Sequence, residues 1–173
     1  MAYAQTKTIA VEKIPVIDTA PLRFGTSEAA QAVAFKIRQA AEEVGFFYIC
    51  NHGISEAVIE QAYRAAQDFF SRPKKWKNSV KINSNHHGFL SVGEAKMEQA
   101  ERVDLKESFV WGLDLPDDHP SVTEKNPFLG RNQWPKEMPE LQKGVYPFFE
   151  AGLQCARNMM RAFALGIELP EDS

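Results

Sequence analysis

The 173-residue sequence has few of the features that define several large classes of protein. It contains two cysteines, carries a formal charge of -3 at pH 7, and has no apolar run near the roughly 20 residues of a membrane-spanning helix. Two cysteines cannot build the disulfide framework of a small secreted domain. A slightly acidic chain has no basic field for nucleic acid, and Met1–Ala10 lacks the apolar part of a signal peptide. We therefore expect a cytoplasmic protein that binds neither membranes nor nucleic acid.

The composition is that of an ordinary globular domain. Hydrophobic residues make up 44% and charged residues 25%, which excludes disorder and fibrous repeats. Cys50 lies in an apolar run and Cys155 at an apparent helical position, so two buried reduced thiols are favoured over a disulfide. The basic run at residues 74–77 indicates a solvated helix end rather than a docking patch around Trp76.

Strand and helix patterns alternate over the first 70 residues. Ile14–Asp18 is a short β-branched run, and the apolar run Phe46–Cys50 is typical of a strand that is covered on both faces. Between them, apolar residues at helical spacing predict a helix that Ser27 caps and Gly45 ends. A second helix is predicted from an N-cap at Ser55 to about residue 70.

The second half predicts two more strands and one long helix. The strands surround Gly88 and Glu107–Trp111, and a polar excursion from Glu94 to Arg102 joins them. A loop rich in Pro, Asp and Asn follows, and apolar spacing then predicts a helix over residues 139–165. The fold class is α/β (α+β), with helices packed on a few strands. Residues 1–13 are expected to form a flexible N-terminus and residues 14–173 a single domain.

No reaction centre is visible in the residues themselves. The sequence has four histidines but neither His-x-Asp with a remote His nor His-x-x-x-His, the spacings that suit a mononuclear iron or zinc site. The neighbours His86 and His87 would point to opposite faces of a strand. Phosphate-binding glycine loops, a nucleophile elbow and Cys-x-x-Cys are also absent from the sequence. We expect neither a catalytic residue nor a metal ligand in this chain.

Asn51-His52-Gly53 presents a choice between a ligand and a turn. Asn51 and Gly53 tolerate positive φ, so the three residues can turn a strand sharply into the next helix. We interpret His52 as part of a structural turn, with metal ligation as the alternative.

Several segments in series resemble one enzyme family. In order and spacing they are similar to the N-terminal region of isopenicillin N synthase-like dioxygenases. The segments are Ile14–Asp18, Gly45–Ile54, Asp68–Phe70, Gly88–Phe89, Asp104–Phe109, Asn132–Pro135 and Ala164–Pro170.

The resemblance implies an oxygenase that uses iron(II), dioxygen and usually 2-oxoglutarate to oxidise a small organic substrate. In that family a double-stranded β-helix, or jelly-roll, core holds iron through His-x-Asp and a distant His, and Arg-x-Ser binds 2-oxoglutarate. None of these motifs occurs in the 173 residues. We therefore expect a chain truncated before the iron-binding core and inactive by itself, whose partner is that core.

The resemblance also places four side chains beside the substrate. They are His86 and Leu90 near Gly88, and Ser108 and Val110 on the following strand. Within each pair the two positions have the same parity and would share a face. The alternative is that all four are ordinary core or rim residues.

Two further hypotheses compete with an inert oxygenase half. One is a naturally short, non-catalytic interaction module that keeps the scaffold. The other is a composite metal site that His52, His86 or His87 would build across a homodimer. Exposure of the faces of Phe46–Cys50 or Ser108–Trp111, with self-association through them, would favour the inert half.

Overall fold

The structure, a computed structural model, describes residues 14–94, 104–124, 126 and 128–170. The flexible N-terminus predicted for residues 1–13 and most of the polar excursion lie outside these residues. The described chain forms two compact units. One consists of residues 14–55 and 150–170, and the other lies within Glu56–Phe149.

The first unit contains the predicted strands and the predicted long helix, together with a four-residue helix that the sequence does not predict. Its elements before residue 55 are β1 (Val16–Asp18), α1 (Pro21–Phe24), α2 (Ser27–Glu43) and β2 (Tyr48–Cys50). β1 and β2 form a two-stranded parallel sheet, with Ile17 opposite Ile49. One face of α2 packs against this sheet and against residues from the end of the chain in a cluster of buried side chains: Ile17, Leu22, Val33, Ala34, Ile37, Ala40 and Ala162.

Helix α2 begins with a threonine cap. The Thr26 hydroxyl oxygen accepts a hydrogen bond from the backbone N–H of Ala29 at 3.3 Å, and Ser27 is already the first helical residue. The prediction of Ser27 as the cap is therefore wrong by one position, because Thr26 has the extended backbone that a capping side chain needs. At the other end Gly45 has φ of +93°, the left-handed conformation predicted for it.

The β1–β2 sheet is covered on one face only. Ile17 is 3% exposed, whereas the paired residues Val16 and Tyr48 on the other face are 65% and 57% exposed. Phe46, which precedes the strand, is 55% exposed. The prediction of a strand covered on both faces is wrong within this unit, because an apolar run does not show which of its faces has a neighbour.

The second unit contains more elements and a larger aromatic core. Its helices and strands are α3 (Glu56–Phe70), α4 (Lys74–Lys77), β3 (Gly88–Leu90), β4 (Ser108–Val110), α5 (Pro120–Thr123) and the first part of α6 (Pro139–Gly166). A 3₁₀ turn, Asn78–Val80, follows α4. β3 and β4 are the two strands predicted in this region. They pair in antiparallel orientation, with Phe89 opposite Phe109.

Phe69 lies at the centre of that core. Its side chain is fully buried, and four aromatic rings surround it with centroid distances between 4.9 and 6.0 Å. The rings meet edge to face, the arrangement that aromatic quadrupoles favour. They belong to Phe70, Trp76, Phe89 and Phe109.

Helix α6 confirms the long helix predicted from Pro139 and continues through Pro147. It contributes to both units. Cys155 on this helix and Cys50 on β2 are free thiols, but both are half-buried, so the prediction of buried thiols is wrong. Among the residues that the structure describes, none of the helices combines the length and apolarity needed to cross a membrane.

Candidate functional site

The open face of the β3–β4 sheet carries three of the four side chains that the resemblance places beside a substrate. Leu90 and Ser108 are opposite each other, and Val110 follows Ser108 on the same face. Leu90 and Ser108 are half-buried, and Val110 is 39% exposed. We call these three residues the β3–β4 face. An apolar surface with one hydroxyl group is suited to contact with a small organic molecule.

The opposite side of the same sheet is core. Phe89 is fully buried, and Phe109 and Trp111 pack against the buried cluster of the second unit. This confirms the prediction that Phe109 and Trp111 face away from Ser108 and Val110. The alternation of side chains along β4 therefore separates a packed side from an open side.

His86 does not lie on β3, so the prediction that it shares a strand face with Leu90 is wrong. It lies in the turn before the strand with φ of +60°, and its N–H donates to the carbonyl of Asn83 at 3.1 Å. The Asn83 side chain also accepts a hydrogen bond from the N–H of His87 at 3.0 Å, which closes the turn. The exposed ring of His86 lies 5.2 Å from that of Phe128. A substrate contact by His86 stays a prediction, without strand geometry to support it.

A buried ion pair anchors the start of β4. Lys77 is 4% exposed, and its Nζ donates to both carboxylate oxygens of Glu107 at 2.8 Å and to the carbonyl of Phe70 at 2.9 Å. Three acceptors match the three N–H groups of an ammonium. Because Glu107 immediately precedes β4, the ion pair holds the strand where Ser108 begins it.

The burial of Lys77 differs from the solvated helix end predicted for residues 74–77, which form one basic run in the sequence. Val80 follows Lys77 by three residues, the spacing of neighbours on one helix face, and Trp76 directly precedes Lys77. That spacing is the signal that could have separated Lys77 from its exposed neighbours Lys74 and Lys75.

Glu94 stabilises the chain just beyond β3. Its carboxylate accepts hydrogen bonds from Lys81 Nζ at 2.7 Å and from the N–H of Ser91 at 3.1 Å. These two hydrogen bonds hold the pKa of Glu94 below its usual value, and the bond from Lys81 has the larger effect. The stability that this group contributes is present above the pKa of the unfolded chain and is lost as pH falls through the folded pKa.

Asn51-His52-Gly53 forms the turn between β2 and α3. Asn51 and Gly53 have φ of +52° and +90°. His52 Nδ1 accepts a hydrogen bond from the N–H of Ile54 at 3.1 Å, and Arg23 donates to the carbonyl of Asn51 at 2.9 Å. A side chain at Gly53 would collide with the Arg23 guanidinium. The imidazole thus satisfies a local backbone donor.

Replacing His52 with alanine is expected to destabilise this turn by about 1 kcal/mol, because the Ile54 N–H loses its acceptor. Hydrogen exchange at the Ile54 amide measures the effect. His52→Asn is the matched control, since an asparagine side chain can accept the same kind of bond. Equal protection of Ile54 in the wild type and in His52→Ala would contradict the assignment.

The described residues do not fit an iron site. Within residues 14–94, 104–124, 126 and 128–170, no three His, Cys, Asp or Glu side chains are grouped so that they could hold a metal ion. A mononuclear iron site of the kind that the resemblance implies needs three such ligands. In His52, His87 and His119 the Nδ1 atom already faces a backbone group at 3.1 to 3.2 Å.

Comparisons with known proteins agree with the resemblance. Residues 14–137 match the family described as non-haem dioxygenase in morphine synthesis N-terminal. A 2-oxoglutarate-dependent dioxygenase of Didymella fabae is 35% identical over 160 residues, which are 88% of this chain and 48% of that protein. The 2-oxoglutarate-Fe(II) type oxidoreductase ppzC of Metarhizium rileyi is 33% identical, over 93% of this chain and 46% of its own length. The chain spans about half the length of the curated relatives it matches.

Solved structures share the fold. The crystal structure of a full-length Neurospora crassa protein in complex with alpha-KG matches 92% of this chain and 48% of its own, with a TM-score of 0.72 at 24% identity. A 2OG-Fe(II) oxygenase family protein from Caulobacter crescentus matches 92% of this chain and 50% of its own, with a TM-score of 0.75 at 22% identity. Because the family match covers residues 14–137 of 173, the chain belongs to the N-terminal domain family of the non-haem, 2-oxoglutarate/Fe(II)-dependent dioxygenases.

Proposed function

We propose that this chain is the N-terminal part of an oxygenase that uses Fe(II) and 2-oxoglutarate to oxidise a small organic substrate. The family match over residues 14–137 supports the enzyme class, as do relatives named for 2-oxoglutarate and Fe(II). In this proposal the chain supplies part of the substrate-binding surface rather than the reaction centre.

The observation that carries the proposal is the β3–β4 face. The aromatic core packs against the other side of the sheet, and the Lys77–Glu107 ion pair anchors the start of β4. The backbone that carries the side chains of this face is therefore held in place. Leu90 and Val110 offer apolar contact, and Ser108 offers one hydroxyl that can donate and accept. In the proposal these groups position the substrate, and His86 is a further contact at the edge.

Iron and 2-oxoglutarate would be held by the remaining part of the oxygenase, the jelly-roll core. Two observations support this division: the described residues supply no set of metal ligands, and the chain matches about half the length of its relatives. The isolated chain would then be inactive. Its self-association through exposed apolar faces such as Val16 and Tyr48 stays a prediction, which size-exclusion chromatography can test.

Replacing Val110 with tryptophan is expected to obstruct the β3–β4 face. The test uses the polypeptide encoded by the complete reading frame and follows succinate formed from 2-oxoglutarate by NMR. A screen of small organic molecules first identifies one that stimulates this turnover. We expect Val110→Trp to raise the KM for that molecule at least about tenfold, and to leave the unstimulated turnover unchanged.

Thr123→Trp is the matched control, because Thr123 is exposed and belongs to α5 rather than to the sheet. An equal KM in Val110→Trp and the wild type would contradict the substrate role of the β3–β4 face. Turnover of 2-oxoglutarate by the isolated 173-residue chain would contradict the proposed division of labour.

A further inference from the structure

The segment Asn132-Gln133-Trp134-Pro135, which the family resemblance uses only as a landmark, contacts the end of β4. We infer that this segment, which we call the strap, sets the position of the β3–β4 face, and that Asn132 is its positioning residue. The inference rests on the proposed function, because it concerns the same substrate surface.

Asn132 contacts the backbone immediately beyond β4. Its Oδ1 accepts a hydrogen bond from the N–H of Gly112 at 3.0 Å, and its Nδ2 donates to the carbonyl of Gly112 at 2.9 Å. One side chain therefore satisfies both backbone groups of one residue, as a neighbouring strand would do. The amide is suited to this because it carries an acceptor and a donor side by side. Gly112 follows Val110 by two residues, so the bonds fix the strand close to that side chain.

The side chain of Asp114, two residues beyond Gly112, in turn bonds to the strap. Its Oδ1 accepts a hydrogen bond from the backbone N–H of Asn132 at 3.2 Å, and its Oδ2 accepts one from Trp134 Nε1 at 3.1 Å. Tyr146 on α6 accepts a bond from the N–H of Asp114 at 3.2 Å through its hydroxyl. The segment after β4 is thus bonded to the strap at two alternate positions, Gly112 and Asp114.

The strap also packs beneath β4. The ring of Trp134 lies 5.8 Å from that of Phe109 and 6.4 Å from that of Trp111, the two residues on the packed side of the strand. Pro135 is fully buried. The strap therefore touches both the inward side chains of β4 and the backbone at its end.

These contacts matter because β4 is only three residues long. A two-stranded antiparallel pair is only marginally stable by itself. The position of the β3–β4 face therefore depends on the other contacts that hold β4 in place. The Lys77–Glu107 pair fixes the start of β4, and Asn132 fixes its end. Loss of the Asn132 bonds should displace Val110 and Ser108 relative to a substrate while the aromatic core stays packed.

The test compares kinetic constants in the full-length oxygenase, with the stimulating small molecule as substrate. We expect Asn132→Ala to raise the KM for that molecule roughly tenfold, since a small displacement of a contact group is costly in rate and binding. The KM for 2-oxoglutarate should change less than about twofold, because the proposed function places the 2-oxoglutarate site in the jelly-roll core and not on the β3–β4 face.

Asn132→Ser leaves a single short hydroxyl in place of the amide, so at most one of the two bonds to Gly112 can remain. It should give a smaller rise in the same KM, and it carries the test if Asn132→Ala does not fold. Gln61→Ala is the matched control: it removes a 3.1 Å side-chain bond to the Lys143 carbonyl in the same unit, outside the sheet. It should leave both KM values unchanged. Hydrogen exchange should be faster at Gly112 in both Asn132 variants and not in Gln61→Ala.

The outcomes separate the inference from the function on which it rests. An unchanged substrate KM in the folded Asn132 variants, with a raised KM in Val110→Trp, overturns the strap and leaves the proposed function standing. Equal rises in the KM for substrate and for 2-oxoglutarate indicate general damage and also overturn the positioning role. No effect of Val110→Trp overturns both proposals.

Discussion

Replacing Phe69 with alanine is expected to lower the free energy of unfolding of the second unit by about 4 kcal/mol, the usual range for a buried phenylalanine. The side chain is fully buried and lies among four aromatic rings. Its removal forfeits the transfer free energy of the ring and leaves a cavity that rigid aromatic neighbours cannot fill. Two of those neighbours, Phe89 and Phe109, are the inward side of β3 and β4, so the sheet should lose its backing.

Urea denaturation followed by tryptophan fluorescence measures this change. All three tryptophans of the sequence, Trp76, Trp111 and Trp134, lie in the second unit, so the signal reports on that unit. Tyr63→Ala is the control on the same helix, because Tyr63 is 68% exposed and its loss should cost less than about 0.5 kcal/mol. Equal shifts in the two variants would show that Phe69 is not the centre of the core.

The helices of this fold are predictable from the sequence because their signals are long. α2 and α6 each repeat apolar residues over several turns, and Gly45 ends the first of them as expected. The order of strands and helices follows from the same patterns. Among the predicted helices the exact cap of α2 differs, since Thr26 and Ser27 are both capable residues and the backbone conformation decides between them. The four-residue helices α1, α4 and α5 were not predicted, because a single turn carries no periodic pattern.

The short strands are less predictable, because three residues carry little pattern. The apolar run Phe46–Cys50 does not show that Tyr48 faces away from the core, which depends on what packs there. The turn at His86 depends on hydrogen bonds to the Asn83 side chain, a local device that alternation does not detect. In contrast, the shared face of Ser108 and Val110 was predictable, because alternation holds within a regular strand.

The contacts that hold the candidate site together could not be predicted from the sequence. Lys77 and Glu107 are 30 positions apart, and Asn132 and Gly112 are 20 apart. Their meeting depends on the tertiary arrangement of segments that are irregular in themselves. The family resemblance marked both Glu107 and Asn132 without showing what either residue contacts.

Replacing Lys77 with alanine is expected to lower the free energy of unfolding of the second unit by about 2 kcal/mol, less than the loss of one partner from a fully buried ion pair, because Glu107 is partly solvated. Glu107, whose side chain is 32% exposed, would keep its charge beside the aromatic core without a partner, and the Phe70 carbonyl would lose a donor. The Lys77 stem also packs there, with Nζ 5.3 Å from the ring centroid of Phe89. Urea denaturation monitored by tryptophan fluorescence applies again.

The double variant Lys77→Met with Glu107→Gln separates charge from volume. Methionine keeps most of the lysine stem, and glutamine removes the carboxylate charge, so neither partner leaves an unpaired ion. Replacing both members of a buried pair by neutral groups is often nearly neutral, and we expect the double variant to lie within about 1 kcal/mol of the wild type. The single variant Lys77→Met should be clearly less stable than the double variant, since Glu107 remains charged.

If the single variant were as stable as the double, the unpaired carboxylate would not be the source of the lost stability, and packing of the lysine stem would be. In that case the start of β4 would be held by hydrophobic contact with Phe70 and Phe89 rather than by the ion pair.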